Sequence, residues 1–555
     1  MEASANKPNI ILILSDDMGF TDIGCFGSEI KTPNLDRLGE KGIRFTQMYN
    51  GARCCPARAS LLTGLHPHQT GVGQMTLDLG FSGYRGFINE ACATIPEVLR
   101  PAGYRTYMSG KWHVGGNYQA LNPESWKTTA GDEKHPTPTQ RGFDRFYGIL
   151  NGLGSFFDPV TLVDQDKFIR ADSPDYYITD AITDNAIKMM KENHEQHNDK
   201  PFFLYLAYTA AHWPLHAWEK DIAKYDGVYK KGWDYIRIAR HEQAKGMGLL
   251  DKRWPITPRD EDAPDWKDAQ NKDWEAWRMA AYAAQIDRMD QGIGRVLSYL
   301  KEAKLEDNTL IIFLSDNGGC AEFLLEEPGK PDPSIWGDRT RAGKPIRIGN
   351  IENLLPGPED TFMTYDVAWS NVSNTPFRLH KHWIHEGGIS TPCVAYWPAA
   401  IKKPSITHSS AQLVDISATI IDAAGAQYPS ERKGIEIPPI EGESFLDLLK
   451  GKHWQKQRPL LWEHEGNRAI RLGEWKLVSE LGKAWELYNM TNDRTELNNL
   501  VEKSPDRAAD LEKLYNAWAG RCGVLPWPVK QGETVLKMKG QHVHLSFHRG
   551  RKFYP

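Results

Sequence analysis

NIILILSDD, residues 9–17, is the stretch whose reading decides the fold. Ile10 to Leu14 form a continuous apolar run of strand length that stops at two carboxylates, Asp16 and Asp17. A run without polar alternation belongs to a strand covered on both faces, as in a mostly parallel sheet. TLIIFLSDNGG, residues 309–319, repeats the design and ends at Asp316 and Asn317. YRTYMSGKWH (104–113) ends at Lys111 and His113, and PFFLYLAYTAAHWP (201–214) reaches His212. CVAYWP (393–398) follows a Gly-Gly turn as one more buried strand. Helices fall between these runs. Thr32-Pro33 opens one, with Thr as N-cap and Pro at the first helical position. A longer helix is expected from about Trp277 to Lys304, where Met279, Tyr282, Ile286, Met289, Ile293, Val296 and Leu300 recur at helical steps. Strands alternating with helices give an α/β fold, in which ligands gather outside the carboxyl ends of the strands. The polar groups named above collect there.

The segment from about Lys220 to Asp273 is charged, Trp-rich and weakly periodic, and reads as an insertion near the mouth of a site. Glu326 to Pro358 is rich in Gly, Pro and Asp and reads as a long loop. After about His453 the texture changes. RAIRLGEWKLVSE (468–480) and AWELYNM (484–490) read as short antiparallel strands around a Gly-Glu turn. A helix from about Pro505 to Gly520 and a basic tail, HRGRKFYP, follow. The expected organisation is a catalytic domain over residues 1–453 and a smaller C-terminal α/β domain, built on a short antiparallel sheet, over 454–555.

Lys and Arg number 67 against 72 Asp and Glu, so no general positive field is available to hold a nucleic acid. An anionic substrate would need a local cationic pocket. No apolar run approaches the roughly 18 residues needed to cross a membrane. The start, MEASANKPNI, reaches the first strand quickly and reads as a mature or an artificial beginning. A secreted or periplasmic location is therefore expected, with any signal peptide absent from this chain and the cytoplasm as the alternative. The seven cysteines, Cys25, Cys54, Cys55, Cys92, Cys320, Cys393 and Cys522, are odd in number and irregular in spacing. They make neither a disulfide framework nor a zinc motif. Most, Cys55 among them, read as buried small hydrophobes. Asn371-Val-Ser and Asn489-Met-Thr match the glycosylation sequon.

Asp16, Asp17, Asp316 and Asn317 are hard oxygen donors at strand ends. Such a set suits Ca²⁺ or Mg²⁺. Carboxylates at a strand end also commonly cap the next helix, so the residue types alone leave both readings open.

CCPARASLLTG, residues 54–64, resembles the sulfatase signature, CxPxR followed by LLTG, that formylglycine-generating machinery recognises. PNLDRLGEKGIRF, GYRTYMSGKWH, FLYLAYTAAHWPLHAW, LIIFLSDNGG and LHKHWIHEGGISTPCVAYWP resemble further sulfatase blocks in order. The likeness runs from Lys7 to about Cys522 and is nearest to bacterial arylsulfatases, within the alkaline-phosphatase-like superfamily. It implies a large, mostly parallel sheet flanked by helices, and hydrolysis of an aryl sulfate or a sulfated saccharide. It also implies a partner, the formylglycine-generating or sulfatase-maturating enzyme, that oxidises Cys54. By the same resemblance Asp16, Asp17, Asp316, Asn317 and the modified Cys54 bind Ca²⁺, with Mg²⁺ second. Arg58 holds the hydrated aldehyde and His113 takes a proton from its second hydroxyl. Lys111 and Lys381 hold sulfate oxygens, and His212 protonates or hydrogen-bonds the leaving oxygen. His216, His382 and His385 are candidates to line the pocket, while His66 and His68 have no assigned role.

The chemistry suits the residue. An aldehyde hydrate carries two hydroxyls, one to attack sulfur and one to collapse back and expel sulfate, which is covalent catalysis with a built-in release step. Two other readings stand beside this one. Phosphate or phosphonate monoester hydrolases resemble sulfatases closely, and a dead sulfated-glycan binder would have no need of Cys54 or His113.

Overall fold

The apolar run after Asn9 is strand β1 (Asn9–Ser15), and its side chains alternate between two cores. Ile11 and Ile13 face one, while Ile10, Leu12 and Leu14 face the other. Each such buried side chain contributes about 1.5–3 kcal/mol, so one charge on either face would undo the strand's placement. The computed structural model describes residues 7–116, 118, 130–171, 173–326, 337, 339–529 and 545–546.

After β1 come helix α1 (Pro33–Lys41), strand β2 (Ile43–Tyr49), helix α2 (Cys54–Thr63) and strand β3 (Arg105–Gly110). Strands β4 (Arg145–Ile149), β5 (Leu162–Asp164) and β6 (Lys167–Phe168) lead to helix α3 (Ile178–Gln196) and strand β7 (Phe202–Ala207). Helix α4 (Lys272–Glu302), strand β8 (Thr309–Ser315), helix α5 (Asp366–Ser373), strands β9 (Ser390–Tyr396) and β10 (Ser405–Gln412), and helix α6 (Leu413–Ala423) follow. The ten strands form one sheet in the order β10-β2-β9-β8-β1-β7-β3-β4-β5-β6. Strands β7, β1, β8, β3 and β4 run parallel; β9 and β5 run against their neighbours. The expected α/β fold with a mostly parallel sheet is the observed one.

Helix α4 begins at Lys272, five residues before the expected start, because the indole of Trp274 anchors the extra turn by donating to Leu354 O at 2.8 Å. Its stripe from Met279 to Leu300 is buried throughout. At α1, Pro33 takes the first position as expected. Thr32 Oγ1, however, accepts from Gly24 N at 2.8 Å rather than capping the helix with its side chain.

The chain then builds a four-stranded antiparallel sheet from β11 (Leu460–His464), β12 (Asn467–Leu472), β13 (Trp475–Ser479) and β14 (Glu486–Asn489). One face packs on helix α7 (Pro505–Cys522), through Leu511, Tyr515 and Trp518. The other packs on Tyr49, Ile384 and Ile389 of the larger part. Buried Glu386 binds Lys476 at 3.0 Å and Arg494 at 2.8 Å, so the loop before β9 is held from the small sheet. That loop carries Lys381.

The insertion packs on two loops of the site. Its helix, Trp233–Gly246, sends Arg240 to Asp22 at 2.6 Å and Glu29 at 2.8 Å. Asp260 reaches His380 Nε2 at 3.1 Å. These contacts brace the loops that follow β1 and precede β9. The long loop is turn-rich where described, with residues 327–336 and 338 outside the described set, and the basic tail 548–555 lies outside it too. Neither sequon is a surface acceptor: Asn371 lies buried in α5, and Asn489 is buried at the end of β14. Among the described residues no helix is long and apolar enough to cross a membrane.

Candidate active site

Strands β8, β1, β7 and β3 are neighbours, and their carboxyl ends deliver polar groups to one place. Asp16 and Asp17 leave β1, Asp316 and Asn317 leave β8, and Lys111 and His113 leave β3. The turn after β7 adds His212, and the loop before β9 adds Lys381. Helix α2 starts at this point with Cys54, and Arg58 lies one turn later on the same helical face. Asp17 and His113 hold left-handed backbone, with φ of 60° and 57°. Such conformations cost about 1–3 kcal/mol each and persist where the surroundings enforce them.

Three buried carboxylates face three cations. Arg58 Nε donates to Asp316 Oδ2 at 2.9 Å, and Nη2 lies 3.6 Å from Asp16 Oδ2. Lys111 Nζ donates to Asp16 Oδ2 at 2.5 Å. Lys381 Nζ lies 2.8 and 2.9 Å from the two oxygens of Asp17. Burial, reinforced by Asp316, pushes the Asp16 carboxyl well above the usual range despite Lys111 and Arg58. Burial also pushes Asp17 up, but there His212 and Lys381 outweigh it and bring the carboxyl down to about 2. Asn317 Nδ2 donates to Asp17 Oδ1 at 2.7 Å. Asp16 Oδ1 and Asn317 Oδ1 are buried acceptors with no donor among the described residues. Unpaired hard oxygens beside carboxylates are what an oxygen-seeking divalent cation requires.

Cys54 sits beside Cys55, Lys111 and His113. A hydrogen bond from Cys55 lowers the Cys54 thiol well below its usual range; burial opposes this, while Lys111 and His113 reinforce it. Cys55 itself is pushed up by burial and is a core thiol, as expected. Burial takes His113 down to about 4, against the pull of Cys54, so its imidazole is neutral at neutral pH. Burial takes His212 down to about 3, against the pull of Asp17. His212 Nδ1 donates to Trp213 O at 2.6 Å, which leaves the Nε2 lone pair facing Lys381 Nζ at 3.3 Å.

All ten residues singled out in the sequence, Asp16, Asp17, Cys54, Arg58, Lys111, His113, His212, Asp316, Asn317 and Lys381, are brought together. The pocket candidates divide. His216 is fully buried against Phe156, Phe157 and Phe362, and His385 binds Glu486 at 3.1 Å, so both are structural. His382 stays near the site, its backbone N donating to Ala52 O at 2.7 Å. His68 binds Glu463 at 2.8 Å and His66 packs on Trp518.

Sequence reasoning missed a second layer. Arg53, the residue before Cys54, binds Glu322 at 2.9 Å, and Glu322 also accepts from Trp213 Nε1 at 2.6 Å. Arg53 adjoins the signature and could have been suspected from that. Glu322 follows no pattern and is found only through its contacts.

The sulfatase family model matches residues 8–426, and the model described as N-sulphoglucosamine sulphohydrolase, C-terminal, matches 377–516. An uncharacterized sulfatase of Schizosaccharomyces pombe is 31% identical over 95% of this chain and 96% of its own length. An arylsulfatase of Klebsiella aerogenes is 30% identical over 82% of this chain and 95% of its own length. A solved structure in complex with its substrate, D-glucosamine-2-N,6-O-disulfate, shares the fold with a TM-score of 0.60. It is 21% identical, covering 93% of this chain and 98% of the other. With a family model matched over most of its length and that site at the strand ends, this chain belongs to the sulfatase family of sulfuric ester hydrolases.

Proposed function

We propose that the chain hydrolyses a sulfate monoester, either an aryl sulfate or a sulfated saccharide, using a formylglycine made from Cys54 beside a bound calcium ion. The observation that carries this reading is the pair of buried, donorless acceptors, Asp16 Oδ1 and Asn317 Oδ1, set among Asp17, Asp316 and the start of α2. The donor set is all oxygen. That favours Ca²⁺, which tolerates irregular geometry, over Mg²⁺, which demands an octahedron and retains water. Asp16, Asp17, Asp316, Asn317 and the modified Cys54 would hold the ion, which would lower the pKa of a nearby hydroxyl and draw charge from sulfate oxygens. Formylglycine, once hydrated, would supply one hydroxyl for attack and one for release.

The chain's own groups divide the remaining work. Arg58 holds Asp316 and Asp16 in place below the first turn of α2 and opposes, without overcoming, the burial that raises their proton affinity. Neutral His113, beside Cys54, is placed to take a proton there. Lys111 and Lys381 offer ammonium groups on either side of the carboxylates, where anionic oxygens would be bound. His212 Nε2, with Lys381 Nζ against it, is the proton site for the departing oxygen. An arriving anion would raise its affinity for that proton.

The test is sulfate release from a panel of sulfated monosaccharides and an aryl sulfate, with aryl phosphate and phosphonate as comparators, using Ca²⁺-loaded protein of measured formylglycine content. The expected result is a higher kcat/KM for sulfate esters. Preference for the phosphate or phosphonate would overturn the reading.

A further inference from the structure

The turn joining β11 to β12 is a two-residue hairpin loop, Glu465-Gly466, closed by the His464–Asn467 pair. Both loop residues have positive φ, 48° and 81°, which matches the turn that suits a twisted antiparallel ribbon. Asn, Asp and Gly usually fill such turns. A glutamate there holds left-handed backbone at a cost of about 1–2 kcal/mol. His382, in the loop before β9, is left-handed as well, at φ 90°. The two strained residues meet: His382 Nδ1 lies 3.4 Å from Glu465 Oε2. The His382 ring also meets the His464 ring edge-on, with centroids 5.3 Å apart.

His464 has no solvent exposure, and neither of its ring nitrogens has a hydrogen-bond partner among the described residues. An imidazole carries at least one N–H, and burying it unpaired costs about 1–3 kcal/mol. Packing alone does not account for this. An Asn-Gly turn and a phenylalanine would satisfy the same hairpin without the cost.

We propose that His382, His464 and Glu465 form a binding site for a divalent transition metal of the zinc class, separate from the oxygen-rich group at Asp16. One ligand-capable atom from each residue lies within 4.8 Å of the other two. Metal bonds of about 2.0–2.2 Å gather ligands to within about 4 Å of one another, so modest side-chain rotation closes the set. Two imidazoles and one carboxylate suit zinc, whereas Ca²⁺ and Mg²⁺ prefer oxygen alone. Gln74 Nε2 donates to Glu465 Oε1 at 2.8 Å, which orients the carboxylate and leaves Oε2 toward the imidazoles. The neighbouring cation, Arg53, is bound to Glu322 at 2.9 Å. The Glu465 side chain is 21% exposed, giving an ion a way in and a fourth ligand a place. An ion here would join the C-terminal hairpin to the segment entering α2, because His382 N is bonded to Ala52 O, two residues before Cys54.

The test uses the full-length, Ca²⁺-saturated protein carrying Cys54→Ala and Cys55→Ser, since those thiols lie near His113 and could capture a soft metal themselves. Zn²⁺ is titrated under equilibrium dialysis with metal analysis, and Co²⁺ is used as an optical probe. The expected result is one equivalent of Zn²⁺ per chain and a Co²⁺ spectrum with ligand-field bands but no thiolate charge transfer. Glu465→Gln and His464→Phe should each weaken Zn²⁺ binding by at least about tenfold. His464→Phe also guards against misfolding, because it fills the same space. Its melting temperature without Zn²⁺ should match or exceed the parent's, while the Zn²⁺-induced rise disappears. Zn²⁺ stoichiometry unchanged in both variants, or no Zn²⁺ bound by the parent, would overturn the proposal.

Discussion

Arg58 Nε and Nη2 lie 2.9 and 2.8 Å from the same oxygen of Asp316, and neither side chain has any solvent exposure. The third guanidinium nitrogen donates to Lys111 O at 2.9 Å, so one arginine ties the starts of three loops together. Removing one partner of a buried pair strands the other charge, at a cost of about 3–5 kcal/mol. Arg58→Ala should therefore lose about 3–5 kcal/mol of unfolding free energy in urea, along with all activity. Arg58→Lys keeps the charge but not the fork, and should lose less stability while remaining poorly active. Wild-type stability in Arg58→Ala would show that the ion pair is not holding the site.

Calcium should stabilise the fold through its ligands. Saturating Ca²⁺ at about 100 times its Kd adds about 2.7 kcal/mol to stability, so chelation should lower the melting temperature and calcium should restore it. Asn317→Ala removes a donorless acceptor and the donor to Asp17 together, and should abolish most of that calcium-dependent shift. Scanning calorimetry in chelator and in Ca²⁺ reads both. A melting temperature indifferent to Ca²⁺ in the parent would remove the metal from the mechanism.

Lys381 should set the acid limit of activity. Burial alone would raise the Asp17 carboxyl, and with His212 and Lys381 beside it the group stands at about 2. Without the lysine its proton affinity rises, so Asp17 protonates at a higher pH and ceases to be an anionic ligand. In Lys381→Ala the acid limb of kcat/KM should therefore move to higher pH, beyond any uniform loss of rate. Lys381→Arg should return the limb part of the way. A limb that stays put while the rate falls would assign Lys381 to substrate alone.

His216 gives a pH dependence unrelated to catalysis. Burial among Phe156, Phe157 and Phe362 holds its imidazole down to about 3, against an ordinary value of 6.5. Its folded-state value is depressed, so the unfolded chain takes up this proton first as pH falls. Stability from this group is complete above about 6.5 and drains away toward about 3, at about 1.4 kcal/mol per pH unit. His216→Gln, whose amide oxygen can accept from Phe156 N as Nδ1 does at 3.2 Å, should flatten the loss between pH 7.5 and 5. Urea midpoints at the two pH values measure it, and equal slopes in parent and variant would contradict the assignment.

The sheet was legible because its central strands are apolar runs that end in charge. A residue such as Leu12 has no choice of face when both are covered. Strand β11 was not legible. LLWEH shows no alternation, being buried by α7 on one side and by the Tyr49 cluster on the other, and its short length gave no period to read. Most site residues named from the sequence follow strand ends or lie in the signature, where local sequence dictates position, while Lys381, in the loop before β9, was named through the family resemblance. Glu322 and His464 matter through contacts made across long chain separations, and no local pattern encodes those; Arg53 had only its place beside the signature to point to it. The sequons failed for a related reason: Asn371 satisfies a three-residue motif inside a helix whose burial is decided by elements far away in the chain.

Cys54 offers the sharpest test. Its thiol lies at the first residue of α2, where Cys55, Lys111 and His113 favour the thiolate. Because those groups favour the thiolate, activity must be shown to follow the aldehyde rather than the sulfur. Cys54→Ala should abolish turnover and leave the melting temperature nearly unchanged, because it trims one sulfur at a helix start. Cys54→Ser should accept sulfate but lack the second hydroxyl needed to expel it. Intact-mass analysis should then find a sulfated protein that persists long after substrate is removed. In wild-type preparations made with and without a maturation enzyme, specific activity should rise in proportion to the aldehyde fraction measured by mass. Activity that instead tracks the free-thiol fraction would place the nucleophile at sulfur and end the formylglycine reading.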